Sequence, residues 1–496
     1  MPPRHGRRKR HWGVVFPALA GVLTATVVLA GGYAAYTVNR VSDSVTKVDV
    51  ISAATKDSHD VDGKAMNILL VGDDHRPDGA TPEQLAELST EDDGGGTNTD
   101  TMIVLHIAAD GRSATMISFP RDSWVDIPGS GKGKLNSAFT DGSENGGGAV
   151  GGAQKLIETI QGLSGLTIDH YVRVSLLGFY EIVKQLGPVQ VCLNQPAKDD
   201  YSGVDLPAGN SELDAKQALS FVRQRHGLPN GDLDRQVRQQ YFLSQEARKV
   251  LSAGTLLDPV RTTKVIDAIG GSVETDKGLD LISLATQMRN LRPASITSAT
   301  IPVLGTPTIY PAGYAVSIVE VDTVGMPAFV QGLVGEPEAY TRATAAAPAS
   351  VTATVLNGSG VPGAAAAAST VLATRGFQTG APGSSPTTAT TMVQYPAGME
   401  AQAKAVAAVT PGAVAIQSRA VQGITLVLGT DATTPQAPAA APSDAASPSD
   451  GTGSTDAGSS DAGTGGSGGA DEPAQSEPSP SSTAEHKYGA ADVCIN

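Results

Sequence analysis

The apolar positions of the chain form two patterned zones, joined and flanked by polar, small-residue stretches. In the first zone, Asn67–Val71 (NILLV), Thr101–Ala108 (TMIVLHIA) and Ala114–Phe119 (ATMISF) are short runs with no polar alternation. Runs apolar on both faces suit strands buried in the middle of a sheet. The turn signal Asp110-Gly111 separates the last two runs, and Arg76–Asn98, rich in Asp, Glu, Gly and Pro, predicts a surface loop. Helical spacing follows at Gly151–Leu163, then a strand at His170–Val174, a helix at Leu176–Leu186 stopped by Gly187-Pro188, and a strand at Val189–Leu193. Ser211 with Asp214 resembles a capping box opening a helix through about Arg223. Leu228-Pro229-Asn230-Gly231 breaks that helix, and Asp232–Leu251 starts a longer one. Further helix and strand patterns, including Leu279–Leu291 and Tyr314–Asp322, run to about Val334. Strands alternating with helices mean an α/β layered sheet.

The second zone, Val351–Leu428, predicts a small α/β unit: strand VTATVL, turn NGSG, an Ala-rich helix stopped near Gly376, and a final strand ITLVLG. The Ala/Pro/Thr-rich stretch Glu336–Pro348 links the two zones. Asp431–His486 contains no Val, Ile, Leu, Phe, Tyr, Trp or Met, so it is expected to be disordered, since it has nothing with which to form a core. At the other end, Gly13–Tyr36 runs for 24 residues without a charge, behind Arg4, Arg7, Arg8, Lys9 and Arg10. That length spans a hydrocarbon core, and the basic flank predicts a cytoplasmic N-terminus with everything after Tyr36 outside. A cleaved signal peptide is the alternative; the length of the run and Trp12, Tyr33 and Tyr36 as interfacial anchors favour a retained span.

Composition narrows the partners. The 496 residues carry a formal net charge of −15, and no zinc-ligand spacing or recognition helix is present, which argues against nucleic acid. Against that acidic balance, Phe221–Phe242 (FVRQRHGLPNGDLDRQVRQQYF) gathers Arg223, Arg225, Arg235 and Arg238, with Asp232 and Asp234 among them. Arginine grips phosphate as a planar fork, so the cluster suggests a local anion site. The bland alternative is a solvated helix with Asp232–Arg235 and Asp234–Arg238 ion pairs. Only two cysteines occur, Cys192 and Cys494, both on the outer side of the predicted span. An even count in an oxidising compartment predicts a bond tying the C-terminus back to the folded body, against the alternative of two unrelated thiols. In the chain-entropy model so long a loop contributes on the order of 5 kcal/mol.

Five ordered motifs, NILLVGDDHR, TDTMIVLHI, SFPRDS, KLNSAF and FVRQRHGLPNGDLDRQVRQQ, resemble those of the LytR-CpsA-Psr cell-wall enzymes across roughly Met66–Leu333. The unit from Val351 to Asp431 resembles the LytR C-terminal domain that often follows. The resemblance implies an α-β-α sandwich facing outward from the cell membrane. It also implies a phosphotransferase that moves a glycopolymer from a polyprenyl-pyrophosphate carrier to peptidoglycan, with a pyrophosphatase side activity. The chain then divides into a basic segment (1–12), a membrane span (13–36), a spacer (37–65), the catalytic domain (66–334), a linker (335–350), the C-terminal domain (351–430), a low-complexity tail (431–486) and a terminal anchor with Cys494 (487–496).

Residue by residue, Asp74 and Asp100 match the family's ligands for magnesium (or manganese), and Arg121, Arg223, Arg225, Arg235 and Gln239 its pyrophosphate contacts. Asp232 matches an acid cast either as an arginine orienter or as a base for the acceptor hydroxyl. Arg76, Lys134 and Asn136 match further motif positions for which a structural role is an equal alternative. Departures are Asp73, which adds a negative charge beside the metal aspartate, the long acidic loop after Asp74, and Gly187-Pro188 in place of two glycines. A non-enzymatic polyprenyl-phosphate or wall-binding protein is a rival reading, and a transcriptional attenuator a weaker one.

Overall fold

The apolar runs alternate their side chains between two different cores, and that alternation sets the layering. In the computed structural model the described residues are 46–51, 65–73, 88, 99–144, 146–252, 273–280, 283–284, 287–418, 420–437, 486, 488 and 493–496. The predicted span 13–36, the basic segment before it, Asp74, Arg76 and nearly all of the acidic loop lie outside them. Among the described residues no helix is long and apolar enough to cross a membrane. Contacts divide the chain into one unit of residues 1–335 with 482–496 and a second of 336–481.

In the first unit the elements are β1 (Thr46–Val48), β2 (Met66–Asp73), β3 (Thr99–Ile107), β4 (Ala114–Ser118), β5 (Trp124–Ile127), β6 (Gly131–Lys134), α1 (Ser137–Ser143), α2 (Gly148–Ser164), β7 (His170–Ser175) and α3 (Leu176–Leu186). Next come β8 (Val189–Leu193), β9 (Ala197–Asp199), β10 (Val204–Leu206), β11 (Gly209–Leu213), α4 (Ala215–Arg223), α5 (Asp232–Ser252), β12 (Val273–Asp276) and β13 (Ile296–Thr300). Two short pairs, β14 (Val303–Gly305) with β17 (Glu320–Val321) and β15 (Thr308–Ile309) with β16 (Val316–Ser317), precede α6 (Met326–Val334).

The main sheet is mixed and seven-stranded, in the order β1-β12-β7-β2-β3-β4-β13, so the three runs without polar alternation sit centrally. Leu69, Val71, Met102, Val104 and Ile117 face a core completed by Leu156 and Ile160 of α2 and Met326 of α6. Ile68, Ile103, Ile107 and Met116 face the opposite core, where Leu243, Ala247 and Leu251 of α5 pack. Helices therefore cover both faces, which gives an α-β-α sandwich. A fully buried aliphatic such as Leu69 stabilises by about 2 kcal/mol through removal from water alone.

Within Leu279–Leu291 the described residues 283–284 and 287 are helical, and a 3-10 turn follows at Met288–Asn290. Two local expectations need correction. Ser211 lies in β11 opposite Val191, and the capping box is instead Asp214 with Gln217, each side chain bonding the other's backbone amide. The tail starts later than residue 431: Asp431 accepts bonds from the amide and hydroxyl of Thr391, and Arg375 holds the carbonyls of Gln436 and Ala437. Those contacts fasten the chain to the second unit through residue 437.

The second unit holds α7 (Glu338–Arg342), β18 (Thr352–Asn357), α8 (Ala364–Thr374), β19 (Gln378–Thr379), β20 (Gly383–Ser384), β21 (Met392–Tyr395), α9 (Glu400–Val409), β22 (Val414–Gln417) and β23 (Ile424–Leu428). Its sheet runs β19-β18-β23-β21-β22, with β20 also on β18. Val351, Leu372, Tyr395 and Leu426 are buried in its own core.

Cys192 and Cys494 are bonded. The terminal segment starts one residue earlier than 487, because His486 and Ser298 exchange backbone bonds of 2.8 Å along edge strand β13. Ile495 bonds Cys192 O, the Tyr241 hydroxyl donates to Val493 O, and Gln245 donates to Tyr488 O. Tyr241 and Gln245 lie on α5, so the terminus is fastened to that helix. For the separation of 302 residues the chain-entropy model gives about 6 kcal/mol, and Cys494→Ser or reductant is expected to lower the melting temperature of the full chain by several degrees. An unchanged melting curve by scanning calorimetry in reductant would contradict this.

Candidate functional site

The sheet brings four chain ends to one edge. β2 runs parallel to β7 and antiparallel to β3, with Asp73 opposite Thr99 and Ser175. β4 runs antiparallel to β3, pairing Ser118 with Ile103, so the segment after β4 returns to the start of β3. Asp100 and Arg121 meet there by topology, although 21 positions separate them. The Arg121 loop is braced from the side: the backbone amide of Asn136 donates to Arg121 O, and the Lys134 side chain pairs with Asp122 at 2.9 Å. The second contact gives Lys134 a structural part, whereas the Asn136 bond is made by the backbone alone.

The remaining arginines arrive from the helix break. α4 buries Ala218, Leu219, Phe221 and Val222 and ends at Arg223. Gly231, at φ +52°, turns the chain into α5, while Asn230 donates from backbone and side chain to Asp234. Asp234 thus fixes the turn. Arg238 donates to Gln224 at 2.6 Å and lies over the Phe221 ring, with burial lowering its pKa to about 10. Asp232, in the first turn of α5, reaches Arg235 at 2.9 Å and Arg225 at 3.2 Å. The first of these is an ion pair whose angles fall outside hydrogen-bond geometry, since Asp232 Oδ1 has no hydrogen-bond donor among the described residues.

Two carboxylates therefore hold three guanidiniums together. Asp100 contacts Arg121, Arg225 at 3.1 Å and Arg235 at 3.5 Å, and Asp232 contacts Arg225, Arg235 and, at 3.7 Å, Arg121. Burial works to raise the Asp100 pKa, but Arg121, Arg235 and Arg225 outweigh it and hold the carboxyl below its usual range. Burial likewise depresses Arg235, whose side chain is 4% exposed, while the acids pull it back up only in part. With Asp122, 3.6 Å from Arg121 Nε, and its partner Lys134 included, four positive and three negative groups leave the cluster one charge positive, and the Nε atoms of Arg121 and Arg235 have no hydrogen-bond partner among the described residues. Such donors await an anion.

Behind the cluster opens a cavity of about 720 Å³, with Asp100, Arg223, Arg225, Arg235 and Gln239 on its polar side. Leu70, Ile103, Phe179, Ile182, Leu243 and Leu284 are among the residues of its apolar wall. Arg223 also donates to Leu88 O at 3.1 Å, and Gln239 to Val222 O at 3.3 Å. Arg121 is in the cluster but not in the cavity lining.

Several parts were not apparent in the sequence. Asp199, whose side chain is 1% exposed, accepts from the amides of Tyr201, Arg225 and His226 and so sets the course of the arginine segment. Tyr201 stacks on His226 at the cavity rim, with ring centroids 4.1 Å apart. Asp73, which sequence reasoning flagged as an added negative charge, pairs with Arg173, itself bonded to Glu274. No spacing rule links Asp199 to Arg225, which meet across 26 positions through tertiary folding.

Among the described residues no three His, Cys, Asp or Glu converge on a metal position. Asp100 is the matched metal ligand within them, and Asp74 lies outside. Both oxygens of Asp100 are in ion pairs, Oδ1 with Arg121 and Oδ2 with Arg225 and Arg235, so a divalent ion reaching this carboxylate would displace guanidiniums from it.

The sandwich thus sets an arginine-lined mouth directly beside an apolar cavity. Residues 33–324 match the model of the LytR_cpsA_psr family, and residues 350–431 that of LytR_C, the LytR cell envelope-related transcriptional attenuator. The chain belongs to the LytR-CpsA-Psr family. It is 37% identical to the cell wall biosynthesis protein LcpA of Corynebacterium glutamicum over 65% of this chain, and spans 66% of that relative's length. It is 29% identical to the polyisoprenyl-teichoic acid–peptidoglycan teichoic acid transferase TagU of Enterococcus faecalis, over 54% of this chain and 80% of the relative. A solved structure of TagT bound to LIIa-WTA shares 21% identity, with a TM-score of 0.43 over 59% of this chain and 100% of that one.

Asp199→Ala is expected to destabilise the chain by about 2–4 kcal/mol in urea unfolding, by stranding three amides, with Asp199→Asn recovering most of the loss. Burial would raise the Asp199 pKa, but the amide bonds win and hold it below 3.8. The stabilisation is thus present above pH 3.8 and lost as pH falls through the folded value, a dependence that Asp199→Asn removes.

Proposed function

We propose that the chain is a membrane-anchored, extracytoplasmic phosphotransferase that moves a glycopolymer from a polyprenyl-pyrophosphate carrier to peptidoglycan. The observation that carries this reading is the junction of a surplus-positive arginine cluster with an apolar cavity. A pyrophosphate that bears an isoprenoid chain on one side has both of the surfaces this junction matches. The names of the relatives LcpA and TagU, with their cell-wall and teichoic acid roles, support the same class of reaction.

In this reading Arg121, Arg225 and Arg235 bind the phosphate oxygens, with Arg223 and Gln239 on the chain-side phosphate. The polyprenyl chain lies along α5 in the cavity. A peptidoglycan hydroxyl, by family resemblance the 6-hydroxyl of N-acetylmuramic acid, attacks the phosphate joined to the sugar. A new phosphodiester forms, the pyrophosphate bridge breaks and polyprenyl phosphate leaves. Water in place of the hydroxyl gives the pyrophosphatase side reaction. Asp232, held by three guanidiniums, serves as an arginine orienter rather than a base. Asp100, with Asp74, would hold magnesium or manganese, which when bound would supply further neutralisation of phosphate charge. The span 13–36 places the N-terminus in the cytoplasm and the site outside.

Arg121→Ala, Arg225→Ala and Arg235→Ala are each expected to lower polymer transfer in vitro by about 100-fold or more with the fold retained, and chelation of divalent metal to do the same. Wild-type rates in the arginine variants would sink the proposal. Lipid binding without transfer, with magnesium present, would favour a carrier-binding protein that performs no chemistry.

A further inference from the structure

The proposed reaction leaves one buried acid unused. Along its inward face α5 presents Arg235, Gln239, Phe242, Glu246 and Val250 to the cavity. At 1.5 Å per residue, Glu246 lies about 16 Å beyond Arg235 along the helix axis, well inside the apolar part. Glu246 is 8% exposed, and neither carboxyl oxygen has a hydrogen-bond partner among the described residues. Among the described residues the elements opposite offer it no charge: α3 contributes Phe179, Ile182 and Leu186, the strands Leu70 and Ile103, and the segment beyond them Leu284 and Met288. The charged group acting on it is Lys249 of its own helix, whose ammonium donates to Pro188 O at 2.7 Å. Of the other ionisable lining groups, Asp73 is paired with Arg173, and Asp100, Asp199, Tyr201, Arg223, Arg225, His226 and Arg235 belong to the polar end.

We propose that Glu246 is a specificity-determining residue of the cavity: it admits an apolar chain only as the neutral acid, so that seating the chain takes up a proton from solvent. The inference rests on the reading of the cavity as a lipid-chain site. An ionised carboxylate with no donor, pressed against hydrocarbon, has lost water and gained nothing in return. Burial lifts the carboxyl to about 7 even with Lys249 pulling it back down. A chain packed against it removes the remaining water and lifts it further. Below pH 7 the acid is already neutral and chain binding is independent of pH; above 7 affinity falls about tenfold per pH unit, until the bound-state value is reached.

The test uses the full chain and geranylgeraniol, a prenyl alcohol with no titrating group, in calorimetric titrations. Wild-type affinity should weaken by about 25-fold between pH 6.5 and 8.5, with roughly one proton taken up per chain at pH 8, read from buffers of different ionisation enthalpy. Glu246→Gln should bind equally at both pH values with no proton uptake. Equal pH slopes in the two proteins, or wild-type binding without proton uptake, overturn the inference while leaving the cavity reading intact. Failure of both proteins to bind at every pH overturns the cavity reading and the inference with it. Proton uptake is read on the unmodified chain, so it decides the matter even if the variant folds poorly.

Discussion

Guanidiniums repel one another, and the mouth of this site is built on overcoming that repulsion. Two unit charges 4 Å apart cost about 4 kcal/mol at an effective dielectric constant near 20. Arg121, Arg225 and Arg235 share Asp100 and Asp232, so each acid offsets more than one repulsive pair. The acids come from unrelated places, a strand start and a first helical turn. Neutralisation stops short by one charge, and that remainder is what an anionic substrate supplies. A second acid pair in the same place would close the cluster and leave nothing to bind.

Helix α5 transmits this arrangement through the molecule. Its first turn holds Asp232 and Arg235, its middle lines the cavity with Phe242 and Glu246, and Gln240 pins it to Ser118 and Thr300 at the ends of β4 and β13. On another face Tyr241 and Gln245 accept the returning C-terminus, and Cys494 closes the loop onto β8. A shift of this helix would displace the arginines and the chain cavity together. Fastening it from behind gives the terminal segment a part in holding the site in place.

The central strands, α3, α5 and the second α/β unit were legible because period and punctuation agree there: unbroken apolar runs, Gly187-Pro188 as a stop, and Pro229-Asn230-Gly231 as a break. The arginine motif was legible as charge against an acidic background. Which acid holds which arginine was not, since Asp100 meets Arg225 across 125 positions through sheet topology. The i,i+3 pair Asp232–Arg235 forms, whereas Asp234 turns to Asn230 and Arg238 to Gln224. Helical spacing makes both pairs possible, and local backbone needs choose between them. Glu246 escaped notice because a lone glutamate on a polar-looking helix carries no sign of burial until the opposite wall is known.

The acidic surface and the basic mouth act together rather than in opposition. With a formal charge of −15, the chain as a whole repels polyanions, but exposed charges are screened beyond about 8 Å at physiological salt. Arg235, at 4% side-chain exposure, lies where screening is weak, and its unpartnered Nε is felt only by a group already at the mouth. Long-range attraction therefore selects little, and short-range fit selects much. A soluble anion satisfies the arginines but leaves the apolar wall of Leu70, Ile103, Phe179 and Leu243 wet, whereas a free hydrocarbon fills the wall and leaves the guanidiniums bare. Only a molecule that joins both surfaces removes both penalties at once, so selectivity arises from their adjacency on one helix and not from the strength of either.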